Sequence, residues 1–473
     1  MKRKLLHDLS ANTLQVIINQ VSGLAIFYVL SVYFSKNDFG EINWTLAVLL
    51  TAFSILSFGV DQVTVKKIAE GIEPRKILSL YFIHVIISGG LFYLLLLITH
   101  FVFPGFRHDL LIFLGFGKLM IFFASPFKQL VNGLEEFRLL LYMSVCSNVI
   151  RSILLIVFGF GTHLSLSLVI IIFITGDIIE FIISFTITKR ILKIPLMLKF
   201  SRIGYFNLIK ESLPQAGVVI FTSAIARFDW ILLGILASNI ALAEYSFAFK
   251  VFEVVSLPLL VIAPILIPRF TRIFNTSLRK LGEKKEALIT LFRFEMIISS
   301  LVALVLNIIW VPAIDFITHN KYGAVNSKTI FILSVCMPFI YANNFLWTIN
   351  FAKGRLKMIF YIFFVTFLIN LVFDIILIPS FGGKGAAVAY ILAILVQFIL
   401  FRVKTGTINF AKIDYAILFC PLAALISGIS ALQIFTNTLI ILPISILIFF
   451  ILLIFSRQID ANDWHVIKRL VYY

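Results

Sequence analysis

Fourteen apolar stretches, separated by short charged or turn-forming connections, fill most of this 473-residue chain. They run over 14–34, 42–60, 77–103, 110–131, 139–160, 164–187, 214–236, 245–268, 287–311, 328–351, 358–379, 385–401, 413–434 and 438–455. At a rise of about 1.5 Å per residue, roughly 20 helical residues cross a hydrocarbon core about 30 Å thick. Lipid offers no partner to backbone N–H and C=O groups, so runs of this length must pair their own as helices. The composition agrees: 61% of residues are hydrophobic and 13% are charged, whereas soluble domains are about half apolar and a quarter charged. The expected fold class is an all-α polytopic membrane protein with about 14 transmembrane helices.

The net charge of +17 would suit nucleic acid if it formed a continuous stripe, but the cations sit in short clusters between spans. Of the 40 Lys and Arg, 30 fall in the N-terminus, the even-numbered connections and the C-terminal tail, with Lys128, at the end of its span, counted in the connection that follows. Five fall in the odd-numbered connections, counting Lys328 at the start of its span, and the other five lie well inside spans. Cytoplasmic segments retain Lys and Arg, so both termini are expected inside the cell. No nucleic-acid partner is expected. The opening MKRKLLHDLS resembles the charged start of a signal peptide, yet no small-residue cleavage site follows, and the first run is read as an uncleaved helix. Cys146, Cys336 and Cys420 lie inside apolar runs without metal-ligand spacing and are read as inert thiols. No metal site is expected.

Two cytoplasmic segments are strongly basic, 188–212 and 269–286, and both interleave cations with apolar residues as an interfacial helix on anionic lipid would. The first divides the chain. Ser35 precedes Glu41 by six residues, as Ser238 precedes Glu244; Asn148 and Ser152 with Gly161 match Asn370 and Asp374 with Gly383 at a constant offset. These repeats predict two lobes of six spans with the same topology. The expected division is 1–187 (first lobe), 188–213 (amphipathic linker), 214–403 (second lobe), 404–456 (an extra pair of spans) and 457–473 (cytoplasmic tail).

Four stretches resemble the polysaccharide and O-antigen flippases of the Wzx type, whose superfamily also holds the multidrug extruders and the lipid II flippase. They are SFGVDQVTVKKIAEG (57–71), RFDWILLGILASNIALAEYSFAFKVFE (227–253), LPLLVIAPILIPRFTR (257–272) and NLVFDIILIPSFGGKGAAVAY (370–390). The resemblance covers essentially the whole chain. It implies two six-helix lobes in a V shape plus two C-terminal helices, a multi-pass location in the bacterial inner membrane, and no enzymatic activity. It also implies translocation of undecaprenyl-diphosphate-linked oligosaccharide, an O-antigen or capsule repeat unit, from the cytoplasmic to the periplasmic leaflet by alternating access. Its implied partners are that lipid-linked sugar, membrane lipids, and polysaccharide polymerase and chain-length machinery.

Charges inside the spans carry the residue-level reading. An ionised side chain at a bilayer centre costs roughly 2.5–3.5 kcal/mol on insertion scales, so it faces a bundle interior or water. Arg227, Lys250 and Arg151 are the candidate contacts for a diphosphate, because Arg binds phosphate bidentately and Lys as a point charge. Asp229, Asp177, Glu180, Glu253 and Asp374 are the candidate carriers of ion coupling, by proton or sodium, or else partners in structural ion pairs; Lys118 is a further candidate partner. Arg227 and Asp229 point about 200° apart on one helix and need partners elsewhere, while Asp177/Glu180 and Lys250/Glu253 each share a face. Arg293 and Glu295, near the cytoplasmic end of the ninth span, are expected to snorkel. His84 reads as a satisfied interior histidine and Asp61 as a helix-end acid. Gly89, Gly90, Pro258, Pro264, Pro268 and Pro338 are either bends or packing-neutral kinks.

Other function classes compete. A multidrug-type, ion-coupled small-molecule exporter on the same fold is the alternative. A membrane polymerase or ligase would carry a large external loop, whereas the longest external connection here is about 16 residues, and no HExxH, GxSxG or Walker A motif occurs. A scaffold would not require charges buried at this cost. No cofactor is expected beyond the coupling ion.

Overall fold

The structure, a computed structural model, describes residues 2–103, 105–161, 164–196, 198–256, 281–405 and 411–459. Among them are α1 (Lys2–Tyr33), α2 (Lys36–Ser57), α3 (Val60–Ala69), α4 (Pro74–Val102), α5 (Phe106–Gly133), α6 (Phe137–Gly161), α7 (Leu166–Thr186) and α8 (Arg202–Leu236). There follow α9 (Asn239–Val255), α10 (Leu281–Thr318), α11 (Gly323–Ala352), α12 (Leu356–Phe381), α13 (Gly383–Thr405), α14 (Ala411–Ile434) and α15 (Thr438–Phe455). No strand occurs among the described residues. Thirteen of the described helices are long and apolar enough to cross a membrane. The remaining expected span, the eighth (245–268), is described only as far as α9 reaches. Pro258, Pro264, Pro268, the 257–272 motif, most of the basic segment 269–286 and nearly all of the tail lie outside the described residues.

The chain forms two compact units, Met1–Ile235 and Leu236–Tyr473. In the first, α1 packs along α6, α5 lies against both α4 and α7, and the short α3 rests on α5. Apolar surface drives little association in lipid, so close fit and hydrogen bonds decide which helices meet. Gly89 serves that fit: α4 runs unbroken through it, and a Cβ there would meet Leu119 and Phe122 of α5 at 2.8 Å. Phe53 of α2 packs on both Phe92 and Phe122 at ring separations of 5.3 and 5.2 Å.

The basic segment 188–212 is not one interfacial helix. A π turn (Ile187–Ile191) ends α7, an irregular stretch follows, and from Arg202 the chain is already in α8, which continues through the seventh span. This segment is fastened to the first unit. Lys199 N–H donates to Ser79 Oγ at 2.8 Å, Lys67 reaches Glu211 at 2.8 Å, and His84 bridges Tyr205 Oη (3.0 Å) and the Leu56 carbonyl (2.9 Å). Gly59, with φ of 69°, turns α2 into α3 where a side chain would strike Gln215 and Ala216 of α8.

In the second unit α12 lies along α13, α10 and α13 flank α11, and α14 and α15 pack on α10 and on each other. The turn between α12 and α13 explains its Pro-x-x-Gly-x-x-Gly-Ala-Ala run. Pro379 sits in the last turn of α12, Gly382 takes φ of 55°, and at Gly385 a Cβ would strike the Leu377 carbonyl. Only glycine meets the last two demands cheaply.

The repeat predicted from sequence has a local structural counterpart. Ser35 caps α2 by accepting from Asp38 N–H at 3.1 Å, and Ser238 caps α9 by accepting from Ala241 N–H at the same distance. The side chain of Asn148 on α6 and that of Asn370 on α12 each bond a charged residue three or four positions later, Arg151 and Asp374 respectively.

Candidate functional site

The first unit holds a buried network of charges across α5, α6 and α7. Its foundation is the i, i+3 spacing of Asp177 and Glu180 on α7, which turns both carboxyls to one face; they are 1% and 5% exposed. Lys118 of α5 reaches both oxygens of Asp177 at 3.2 and 3.1 Å, and Arg151 of α6 forms an ion pair with the same carboxylate. One turn along, Lys128 of α5 donates to Glu180 at 2.6 Å and Ser147 of α6 at 2.5 Å. Arg151 also donates to Asn148 Oδ1 at 3.0 Å, and Asn148 Nδ2 continues to Asn19 of α1, again at 3.0 Å.

Small residues make the arrangement possible. Any side chain at Gly117 would collide with Asp177, and any at Gly176 with Arg151, so two glycines admit the charges between helices that otherwise close on apolar residues. Phe173 lies beneath Lys118 and Arg151, with its ring centre 5.7 and 6.0 Å from the two cations. Three cations face two carboxylates. The network therefore carries one excess formal positive charge, and among the described residues the buried Nε–H of Arg151 has no acceptor. An orphan charged donor of this kind is rare in a folded interior and suits an anion.

Of the residues singled out in the sequence, Arg151, Asp177, Glu180 and Lys118 are brought together here. Arg227 stands on α8 with its guanidinium 4.6 Å from the centre of the Trp230 ring and bonded to the Ala226 carbonyl at 3.1 Å. Asp229, 1% exposed, accepts from the Trp230 backbone N–H at 2.8 Å. In the second unit Lys250 and Glu253 pair with each other at 2.8 Å, and the fully buried Asp374 accepts from Asn370 at 2.8 Å. Sequence pattern does not single out Lys128 or Ser147. Lys128 falls at the end of an apolar run, where it counts as a flanking cytoplasmic cation; the two acids on one face of α7 are the signal that a second cation is needed. Among the described residues no group of three His, Cys, Asp or Glu could hold a metal ion.

Multiple apolar helices with glycine-seated ion pairs mark a polytopic membrane protein, and solved membrane proteins share its fold. The structure matches that of the lipid II flippase MurJ in an inward closed conformation with a TM-score of 0.74 and 17% identity, covering 94% of this chain and 99% of that one. An inward-facing multidrug resistance MATE family transporter of the MOP superfamily matches with a TM-score of 0.65 and 12% identity, over 84% and 98%. The Vibrio cholerae MATE transporter VcmN in its bent form matches with a TM-score of 0.55 and 14% identity, over 85% and 97%. The fold is thus that of the MOP transporters. No curated protein sequence matches the chain. Residues 5–274, more than half of the chain, match the model of the polysaccharide biosynthesis protein family, and the chain belongs to that family.

Proposed function

We propose that the protein flips an undecaprenyl-diphosphate-linked oligosaccharide, an O-antigen or capsule repeat unit, from the cytoplasmic to the periplasmic leaflet of the bacterial inner membrane by alternating access. Membership of the polysaccharide biosynthesis family supports the substrate class, and the likeness to MurJ supports a fold able to handle a lipid-borne head group. The observation that carries the reading is the excess positive charge of the Lys118–Asp177–Arg151–Glu180–Lys128 network. An anionic diphosphate is drawn to such a site and exchanges hydrogen bonds with Arg more readily than a cationic drug would. Arg151, Arg227 and Lys250 are the proposed substrate contacts. Asp229, Asp177, Glu180, Glu253 and Asp374 are the proposed set from which coupling to a proton or sodium ion is drawn. Polymerase and chain-length machinery are the proposed downstream partners.

The test uses purified protein in liposomes with fluorescent undecaprenyl-diphosphate oligosaccharide, following how much label a membrane-impermeant quencher reaches. Native protein is expected to exchange label between leaflets, and Arg151→Gln and Arg227→Ala to slow that exchange at least tenfold, about 1.4 kcal/mol at the barrier. Failure of native protein to move the lipid, with export of a small cation in the same vesicles, would replace this reading with the multidrug one.

A further inference from the structure

Glu295 does not snorkel. It lies on α10 about 10 Å inside the span that starts at Leu288, counting 1.5 Å per residue. It is 3% exposed, and neither carboxyl oxygen has a hydrogen-bond partner. Phe292, Glu295, Met296 and Ser299 share the i, i+3, i+4, i+7 face of α10, and all four are buried. That face meets α11, since the rings of Phe292 and Phe345 lie 5.2 Å apart edge to face.

The helices around it leave the carboxyl without a counter-charge. α15 carries no ionisable side chain. α11 carries one charge, Lys328, about 25 Å along the helix from Phe345, and otherwise only Cys336 and the buried phenol of Tyr341. On α14 the ionisable residues are Lys412, Asp414, Tyr415 and Cys420; Asp414 is taken by Arg402 at 2.7 Å. On α10 itself Arg293 points elsewhere, donating to the Arg457 carbonyl at 3.3 Å, while Asp315 lies at the far end and accepts from Gly323 N–H at 2.7 Å. Among the described residues no cation pairs with Glu295.

A lone carboxylate in such surroundings is far costlier than a neutral acid, and buried carboxyls resolve the conflict by holding a proton. We propose that Glu295 is a proton-binding site of the second unit, a neutral acid in the apolar bundle that releases its proton when transport admits water to α10. This site is separate from the network on α5, α6 and α7 and does not depend on which substrate is carried.

Dicyclohexylcarbodiimide tests it on the full-length protein in liposomes. The reagent takes the proton of a neutral carboxyl in apolar surroundings on nitrogen, while the carboxyl oxygen bonds its central carbon. Mass mapping should find the adduct at Glu295 in native protein, fading as pH is raised, and absent from Glu295→Gln with other carboxyls unchanged. Native protein left unlabelled at Glu295, or labelled equally at every pH, or protected by sodium instead of by alkaline pH, overturns the proposal. A second measurement follows transport: its response to an imposed pH gradient should persist in Glu295→Asp and vanish in Glu295→Gln, and an unchanged response in Glu295→Gln also overturns it. Labelling needs no sugar lipid, so its outcome stands even if the flippase reading fails.

Discussion

Asp177 is the residue on which the buried network turns, because two cations from two helices share its carboxylate. Asp177→Asn strands Lys118 and Arg151, and loss of one partner from a buried pair costs about 3–5 kcal/mol. The variant is expected to lower the thermal unfolding midpoint of the purified protein, and Lys118→Met to restore part of the loss in a double-mutant cycle. A different effect governs Asp61, in the first turn of α3 outside the spans. Burial raises its pKa above the ordinary carboxylate value, against the opposing pull of the backbone N–H groups of Gln62 and Asp61, and its Oδ1 has no partner. A raised pKa means that the folded protein binds the proton more tightly, so this contribution to stability is present in acid and is lost as pH rises through the folded value. Asp61→Asn should therefore stabilise the protein near neutral pH, with the gain shrinking toward zero below the ordinary carboxylate range; an equal gain at every pH would contradict this account.

The elements show where local chemistry was readable and where it was not. Caps and turns depend on neighbouring residues, so Ser35 and Ser238 could be matched from sequence as equivalent positions between spans, and the structure makes both of them helix caps. At Gly382 the φ of 55° makes Gly382→Val costly by about 1–2 kcal/mol. The variant is expected to loosen the α12 to α13 turn, detected as faster amide hydrogen exchange in 378–388 than elsewhere in the second unit. The 188–212 segment was less legible. Its alternating cations and apolar residues fit an interfacial helix, but Ser79, Lys67 and His84, more than a hundred residues away in sequence, fasten it to the first unit. Periodicity cannot reveal a partner so distant.

For the molecule as a whole, the asymmetry of Lys and Arg between alternate connections predicts an orientation with both termini inside, since moving a cationic loop across the membrane is resisted. Reporter fusions after residues 405 and 459 are expected to be active only in the cytoplasm, and one after 436 only outside. A fusion after 436 that reports the cytoplasm would remove one span from the count and invert the proposed topology.

Sequence by itself determined the material and its order: runs that must be helices because lipid satisfies no backbone group, their number to within the limits of the described residues, and the presence of charges too costly to face lipid. Asp177 and Glu180 could be placed on one face because helical spacing is local. Tertiary structure alone decided which charges meet. Lys128 became a partner of Glu180 instead of a loop cation, Arg151 became part of a shared pair, and Glu295 became a buried acid with no partner instead of one reaching for water. Those outcomes depend on which helices adjoin and on the few glycines that let them close. Packing between segments far apart in sequence fixes that, and no local pattern encodes it.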